Sequence, residues 1–202
     1  KVESLSTGQT LSHPQSFNVN GAQHPRIVTG ATALFLVWFE SGKIHARTMN
    51  PNTFVLGADT VLASDAVATI ATSFDAIVGA STAGEALYIA YELAAGADRV
   101  QVRSFLTSTF AADANRTVTG SGSSGLAAVC LARLPISDRV GIFYVTATAD
   151  AAILSKDLAV ITAPTSVTVL ATGCVFIAEY DATQVVLGWQ INGGPSTTVC
   201  DA

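Results

Sequence analysis

An all-β chain of about four repeated antiparallel units, arranged like the blades of a β-propeller, is what the sequence predicts, and three observations carry it. Composition is the first: 50% of the 202 residues are hydrophobic, only 12% are charged, and lysine is reduced to Lys1, Lys43 and Lys156. That leaves Ser, Thr, Gly and Ala to cover the surface, a mix that suits strands and lacks the Leu/Glu/Lys signature of helix bundles. The second is a recurring order of four short apolar or alternating runs separated by turn residues. The third is a set of aromatic anchors, Trp38, Tyr91, Tyr144 and Trp189, at separations of 53, 53 and 45 residues, each in the second run of its unit.

Taken in order, unit one opens at His24-Pro25-Arg26-Ile27-Val28, continues through Ala33 to Glu40, turns at Ser41-Gly42, runs from Lys43 to Met49 and closes over Val55 to Ala63. Unit two reads Phe74 to Val78, Ala86 to Glu92, Asp98 to Phe105 and Arg116 to Val118. Unit three reads Leu126 to Cys130, Val140 to Val145, Ala152 to Lys156 and Ser166 to Val169. The fourth has Cys174 to Ala178, Gln184 to Trp189 and Thr197 to Cys200, and lacks a fourth run. Approximate blade limits are 24–71, 72–124, 125–173 and 174–202, after an N-terminal extension, 1–23. First runs are small and apolar, as convergence on a narrow centre requires. Second runs are nearly continuous in hydrophobicity, as expected of strands covered on both faces. Outer runs such as Lys43-Ile44-His45-Ala46-Arg47 alternate with the period of two that leaves one face wet.

A helix over Gly84 to Ala97 is the competing local reading, because Glu85 to Ala94 contains good helix formers. Two closures compete as well. The segment from Val2 to Leu11 can supply the missing strand of the last blade and close a four-bladed ring, or the chain is an arc of a larger propeller or assembly.

Charge excludes some partners. Fifteen acidic residues against ten Lys and Arg give a net charge of −5 and a pI of about 5.0. No basic footprint for nucleic acid or an anionic membrane follows, and no apolar run reaches the ~20 residues of a bilayer span, so membrane insertion is not expected.

The strings His24-Pro25-Arg26-Ile27-Val28 and Leu36-Val37-Trp38-Phe39-Glu40-Ser41-Gly42-Lys43-Ile44-His45-Ala46-Arg47 resemble the degenerate propeller repeats of phage tail and fibre proteins and of large bacterial surface adhesins. The resemblance is one of pattern over residues 24–190. It implies a non-enzymatic structural or receptor-binding module of a virion, located there, with other virion proteins or further copies of itself as partners in a homo-oligomer, and a host-surface glycan as a possible ligand. An extracellular or cell-surface adhesin, or a lectin-like carbohydrate-binding propeller, is the alternative. Sialidase-like glycosidase is a third and weaker reading. The S-x-D-x-G-x-T-W box of those enzymes is missing from all four units, and Arg26-Ile27-Val28 has Val28 where their Arg-Ile-Pro has proline.

No catalytic, cofactor-binding or metal-ligating residue is assigned. His13, His24 and His45 lie 11 and 21 residues apart without Asp or Cys at ligand spacing. Gly120-Ser121-Gly122-Ser123-Ser124-Gly125 reads as an inter-blade loop rather than a phosphate cradle. Cys130, Cys174 and Cys200 are too few and too scattered for a disulfide framework, and the 44-residue separation of the first two reads as small-residue filler at one phase of the repeat. Glu40 and Glu92 are read as strand-end solubilisers, and Arg47, Arg103 and Lys156 as outward charges recurring once per blade, paired with neighbours such as Asp98 or Asp157. The turns Ser41-Gly42, Ala95-Gly96-Ala97 and Pro135-Ile136-Ser137 are where a binder would vary.

Overall fold

A computed structural model describes residues 23–66, 74–93, 99–119, 126, 128–146, 148–168, 173–191 and 194–201. Among them there is no helix, and fifteen strands form four antiparallel sheets, each a meander of consecutive strands. Sheet 1 holds β1 (Gln23–Thr29), β2 (Leu34–Glu40), β3 (Lys43–Met49) and β4 (Thr60–Ala63). Sheet 2 holds β5 (Phe74–Ser81), β6 (Gly84–Glu92), β7 (Arg99–Leu106) and β8 (Ala112–Thr119). Sheet 3 holds β9 (Ala128–Leu134), β10 (Arg139–Val145), β11 (Ala149–Ser155) and β12 (Val160–Thr168). Sheet 4 holds β13 (Gly173–Glu179), β14 (Gln184–Ile191) and β15 (Gly194–Asp201).

First strands neighbour one another in succession, β1 beside β5, β5 beside β9 and β9 beside β13, which gives the array its propeller-like inner side. Among the described residues the sheets do not close into a ring; they form an arc. The N-terminal closing strand expected over Val2 to Leu11 lies outside the described residues.

Three apolar cores fill the three gaps between sheets. Alternation along the second strands decides which residue enters which gap. In β6, Leu87, Ile89 and Tyr91 enter the core shared with sheet 1, while Ala86, Tyr88 and Ala90 enter the core shared with sheet 3, all fully buried. This settles the competition in favour of a strand over Gly84–Glu92; residues 94–97 lie outside the described residues. A strand covered on both faces removes all six side chains from water, at roughly 1.5–3 kcal/mol for each large one, and that outweighs helix propensity. Taking the face turned to the preceding sheet as the front and the other as the rear, Tyr91, Tyr144 and Trp189 all lie on fronts. Trp38 lies on the front of sheet 1, opposite in phase to Phe35, Val37 and Phe39, which face sheet 2. The four anchors therefore hold corresponding places.

Turn chemistry fixes the register. Ser41 and Gly42 both take positive φ, 49° and 78°, the combination that lets a two-residue hairpin follow the strand twist, and pairing then runs unbroken from Glu40↔Lys43 to Leu34↔Met49. One boundary differs from expectation. β4 starts at Thr60, and Val55 to Gly57 belong to the turn before it, where the Gly57 N–H donates to Thr48 O at 2.8 Å.

Candidate functional site

Because each sheet is a meander, the turns after first and third strands share one rim. At this rim the same device recurs at every gap: a carboxylate from one sheet accepts backbone N–H groups at the first hairpin tip of the sheet before it. Glu85 accepts Ala31 N–H at 2.6 Å; Asp157 accepts the Thr82 N–H at 2.9 Å and its hydroxyl at 2.5 Å; Glu179 accepts Ile136 and Ser137 N–H at 2.5 and 2.8 Å. The two Thr82 bonds hold the Asp157 carboxyl below its ordinary value. At the tip of sheet 4 the carboxylate is the tip's own: Asp181 accepts Thr183 N–H and hydroxyl at 2.7 and 2.8 Å.

A second recurring feature sits beside these clips. Phe54, Phe110 and Leu158, one in each third turn of sheets 1 to 3, all adopt left-handed backbone, with φ of 56°, 56° and 62°. Bulky residues there cost on the order of 1–2 kcal/mol. What offsets the strain in two of them is a hook into the preceding sheet. Phe110 meets Phe35 of sheet 1 edge-on at 5.9 Å, and Leu158 is buried in the core between sheets 2 and 3.

Inner strands are stitched by Asp75 of β5. Its Oδ2 accepts Leu131 N–H of β9 at 2.9 Å, and its Oδ1 lies 3.5 Å from Nε of Arg26 on β1, whose guanidinium covers the Phe74 ring at 5.9 Å. Burial raises the Asp75 carboxyl above its ordinary value despite the Leu131 and Ala76 N–H groups and Arg26, which pull the other way.

Among the described residues, cavities open between the sheets. A rim cavity of about 360 Å³ is lined by Thr29, Gly30, Ala31, Val78, Gly79, Ala80, Glu85 and Arg133. Glu85 is committed to Ala31 and to the Thr107 hydroxyl at 2.9 Å, whereas Arg133 is exposed. The second, of about 410 Å³, runs between the outer strands of sheets 3 and 4, walled mainly by Ala151, Ile153, Thr165, Val167, Val185 and Cys200.

Several expected residues prove to have other places. Arg47 and Arg103 are equivalent: their cross-strand partners Leu36 and Ile89 each precede the anchor by two residues, so both guanidinium groups reach over it, at 5.6 Å from Trp38 and 5.7 Å from Tyr91. They are partly buried covers rather than outward charges, paired with Asp59 at 3.8 Å and Asp65 at 2.6 Å. Lys156 does not share that place, which Ala152 takes opposite Ile142; it pairs with Asp138 at 2.9 Å in a turn. Asp98 lies outside the described residues, and Asp157 is a clip. Glu40 ends β2 and accepts Trp38 Nε1–H at 3.3 Å; Glu92 ends β6, half-buried. His45 stacks on Trp38 at 5.2 Å and meets Asp59 at 3.1 Å, His24 lies in β1, and His13 is outside the described residues, as are residues 95–97 and 120–125. Pro135 to Ser137 form a clipped tip.

The cysteine reading is corrected. Cys130, in the first strand of sheet 3, is disulfide-bonded, and Cys200 is a free thiol that burial pushes above its ordinary value. Adjacent first strands bring into reach residues that spacing along the chain does not. The left-handed hooks were the larger omission, and the signal was there: Asn52-Thr53-Phe54, Ser108-Thr109-Phe110 and Lys156-Asp157-Leu158 each follow the third run of a unit.

Neither a family model nor a curated protein sequence matches the chain. Solved structures do share its fold. A protein of unknown function from Dyadobacter fermentans DSM 18053 superposes with a TM-score of 0.56 at 13% identity, over 88% of this chain and 52% of that one. The uncharacterized protein lmo1340 of Listeria monocytogenes EGD-e superposes with a TM-score of 0.50 at 11% identity, over 92% of this chain and 56% of that one. The chain thus spans about half the length of the solved structures it matches.

Proposed function

We propose that this chain is a non-enzymatic structural or receptor-binding module of a virion, of the phage tail, fibre or appendage kind, acting through its surfaces. The observation that carries the reading is the use made of its carboxylates. Glu85, Asp157, Glu179, Asp65 and Asp75 each hold one piece of backbone or side chain to another across the array, which is the work of a scaffold. The disulfide at Cys130 supports a place outside a reducing cytosol, on a particle or a cell surface. A second reading, a lectin-like or adhesin propeller, is favoured by the rim cavity, where exposed Arg133 beside the backbone of Gly79 and Gly30 offers a cation to an acidic sugar.

Two measurements test this. Fluorogenic glycosides incubated with the purified chain are expected to show no turnover above buffer, and turnover that co-purifies with it overturns the non-enzymatic reading. Titration with sialylated and uronic oligosaccharides decides the second: binding weakened about tenfold or more by Arg133→Ala supports a glycan ligand, and binding indifferent to that change removes the cavity from the account.

A further inference from the structure

On the front of every sheet the third strand carries two residues in fixed register with the anchor, one opposite the position two before it and one opposite the position four before it. In sheets 1 and 2 these are Arg47 with Met49 and Arg103 with Phe105; in sheet 3 they are Ala152 with Leu154. Sheet 4 alone has small residues at both places, Thr198 opposite Leu187 and Cys200 opposite Val185. Met49, Phe105 and Leu154 are buried, whereas Cys200 is half-buried. Among the described residues, moreover, no left-handed hook like Phe110 or Leu158 enters the gap between sheets 3 and 4, and no fourth strand of sheet 4 faces β12. The cavity of about 410 Å³ lies in that gap with Thr198 and Cys200 in its wall, so it is space that the other sheets fill with large side chains.

We propose that this cavity is a binding site for a neutral small molecule of one or two rings that carries a hydroxyl group. Its size admits such a ligand: an apolar cavity of roughly 150 Å³ holds benzene, and this one is larger, with room for two fused rings or a substituted one. Ala151, Ile153, Val167 and Val185 make the walls apolar, and the Cys200 sulfur adds a polarizable surface that suits a ring edge. No charged side chain enters. Asp201 borders the cavity, but alternation along β15 turns its carboxylate to the rear of sheet 4, where Gln184 Nε2–H donates to it at 3.4 Å. Burial, and after it the Asp201 carboxylate, holds the Cys200 thiol above its ordinary value and hence uncharged at neutral pH. A charged ligand would therefore lose water without gaining a counter-ion. The polar groups at hand are the hydroxyls of Thr162 and Thr165 on β12 and Thr198 on β15. Thr165 Oγ1 already donates to Ala163 O at 3.1 Å, so it meets a ligand hydroxyl as an acceptor. This site is separate from the rim cavity at Arg133 and stands whether or not that cavity takes a glycan.

Equilibrium dialysis of the 202-residue chain at neutral pH tests this with 2-naphthol, a neutral bicyclic alcohol, and with 2-naphthoate, the same rings bearing a charge. Saturable binding of 2-naphthol is expected, with 2-naphthoate weaker by about tenfold or more. Cys200→Phe gives sheet 4 the residue that sheet 2 has at that place and should abolish the binding. Thr198→Leu narrows the same wall and should weaken it about tenfold or more; it decides the matter if circular dichroism shows that Cys200→Phe misfolds. Bound 2-naphthol should also slow alkylation of Cys200 by iodoacetamide, read by peptide mass spectrometry. Absence of saturable binding overturns the proposal, including where the chain's own residues 1–22 occupy the cavity. So do equal binding of 2-naphthoate, binding indifferent to the substitutions, and Cys200 alkylation unchanged by bound 2-naphthol.

Discussion

Asp65 and Asp75 show two ways in which a carboxylate can serve this fold. Asp65 accepts the Tyr91 hydroxyl at 2.8 Å and Arg103 at 2.6 Å. Its side chain is 43% exposed, so the ion pair contributes little in water, but Tyr91 is fully buried and its hydroxyl has no access to solvent. Asp65→Ala is therefore expected to cost about 1–3 kcal/mol in urea unfolding, the penalty of stranding a buried donor, and to cost much less in a Tyr91→Phe background. Equal losses in both backgrounds would transfer the effect to Arg103. Asp75 behaves differently because burial raises its carboxyl in the folded state. A raised acid binds its proton more tightly when folded than when unfolded. Its contribution to stability is thus greatest below the ordinary value of 3.8, declines as pH rises through the raised folded value, and stays at the lower level above it. Asp75→Asn removes that decline while leaving an acceptor for Leu131 N–H. The difference in unfolding free energy between wild type and variant should change over the first pH units above 3.8 and level off; a constant difference would show that Arg26 compensates the burial completely.

Third turns are where local preference and packing are most opposed. Leu158 holds a left-handed backbone that its side chain disfavours, and it does so because that side chain, 1% exposed, completes the core between sheets 2 and 3. Leu158→Ala keeps the strained backbone and loses the packing, so a loss of about 2–5 kcal/mol is expected in chemical denaturation. Leu158→Gly, which relieves the strain, should lose less than the alanine variant if the φ of 62° costs what such backbone ordinarily costs. The same elements show what could be read in advance. Strand order, the two-faced second strands and the corresponding anchors were legible, since all depend on an apolar period that the chain displays directly. Arg47 and Arg103 were legible as a repeat, but not as covers for the anchors, because that follows from a cross-strand diagonal absent from linear spacing. Lys156 shared their spacing without sharing their register. The clips were illegible, since Glu85, Asp157 and Glu179 come from a second strand, a third turn and the end of a first strand, so no period connects them.

At the scale of the molecule, contacts run between neighbouring sheets and each core belongs to one gap, so the arc behaves as a short one-dimensional array rather than a body with one centre. Sheets 2 and 3 are packed on both faces; among the described residues, sheets 1 and 4 are packed on one. Opening an end sheet breaks one interface, whereas opening an inner one breaks two. Native-state hydrogen exchange should therefore grade from the ends inward, with amides of β6 and β10 slowest and those of β2 and β14 faster, although all four are central strands with comparable pairing. The disulfide at Cys130 ties down a first strand of sheet 3, and reducing it should speed exchange in the strands nearest it before it affects β2. Glu179→Gln should act on the same gap, raising exchange at Ile136 and Ser137 and then along sheet 4, and leaving sheets 1 and 2 as they were. Uniform exchange across the four central strands would mean that the sheets unfold together and that the array picture fails.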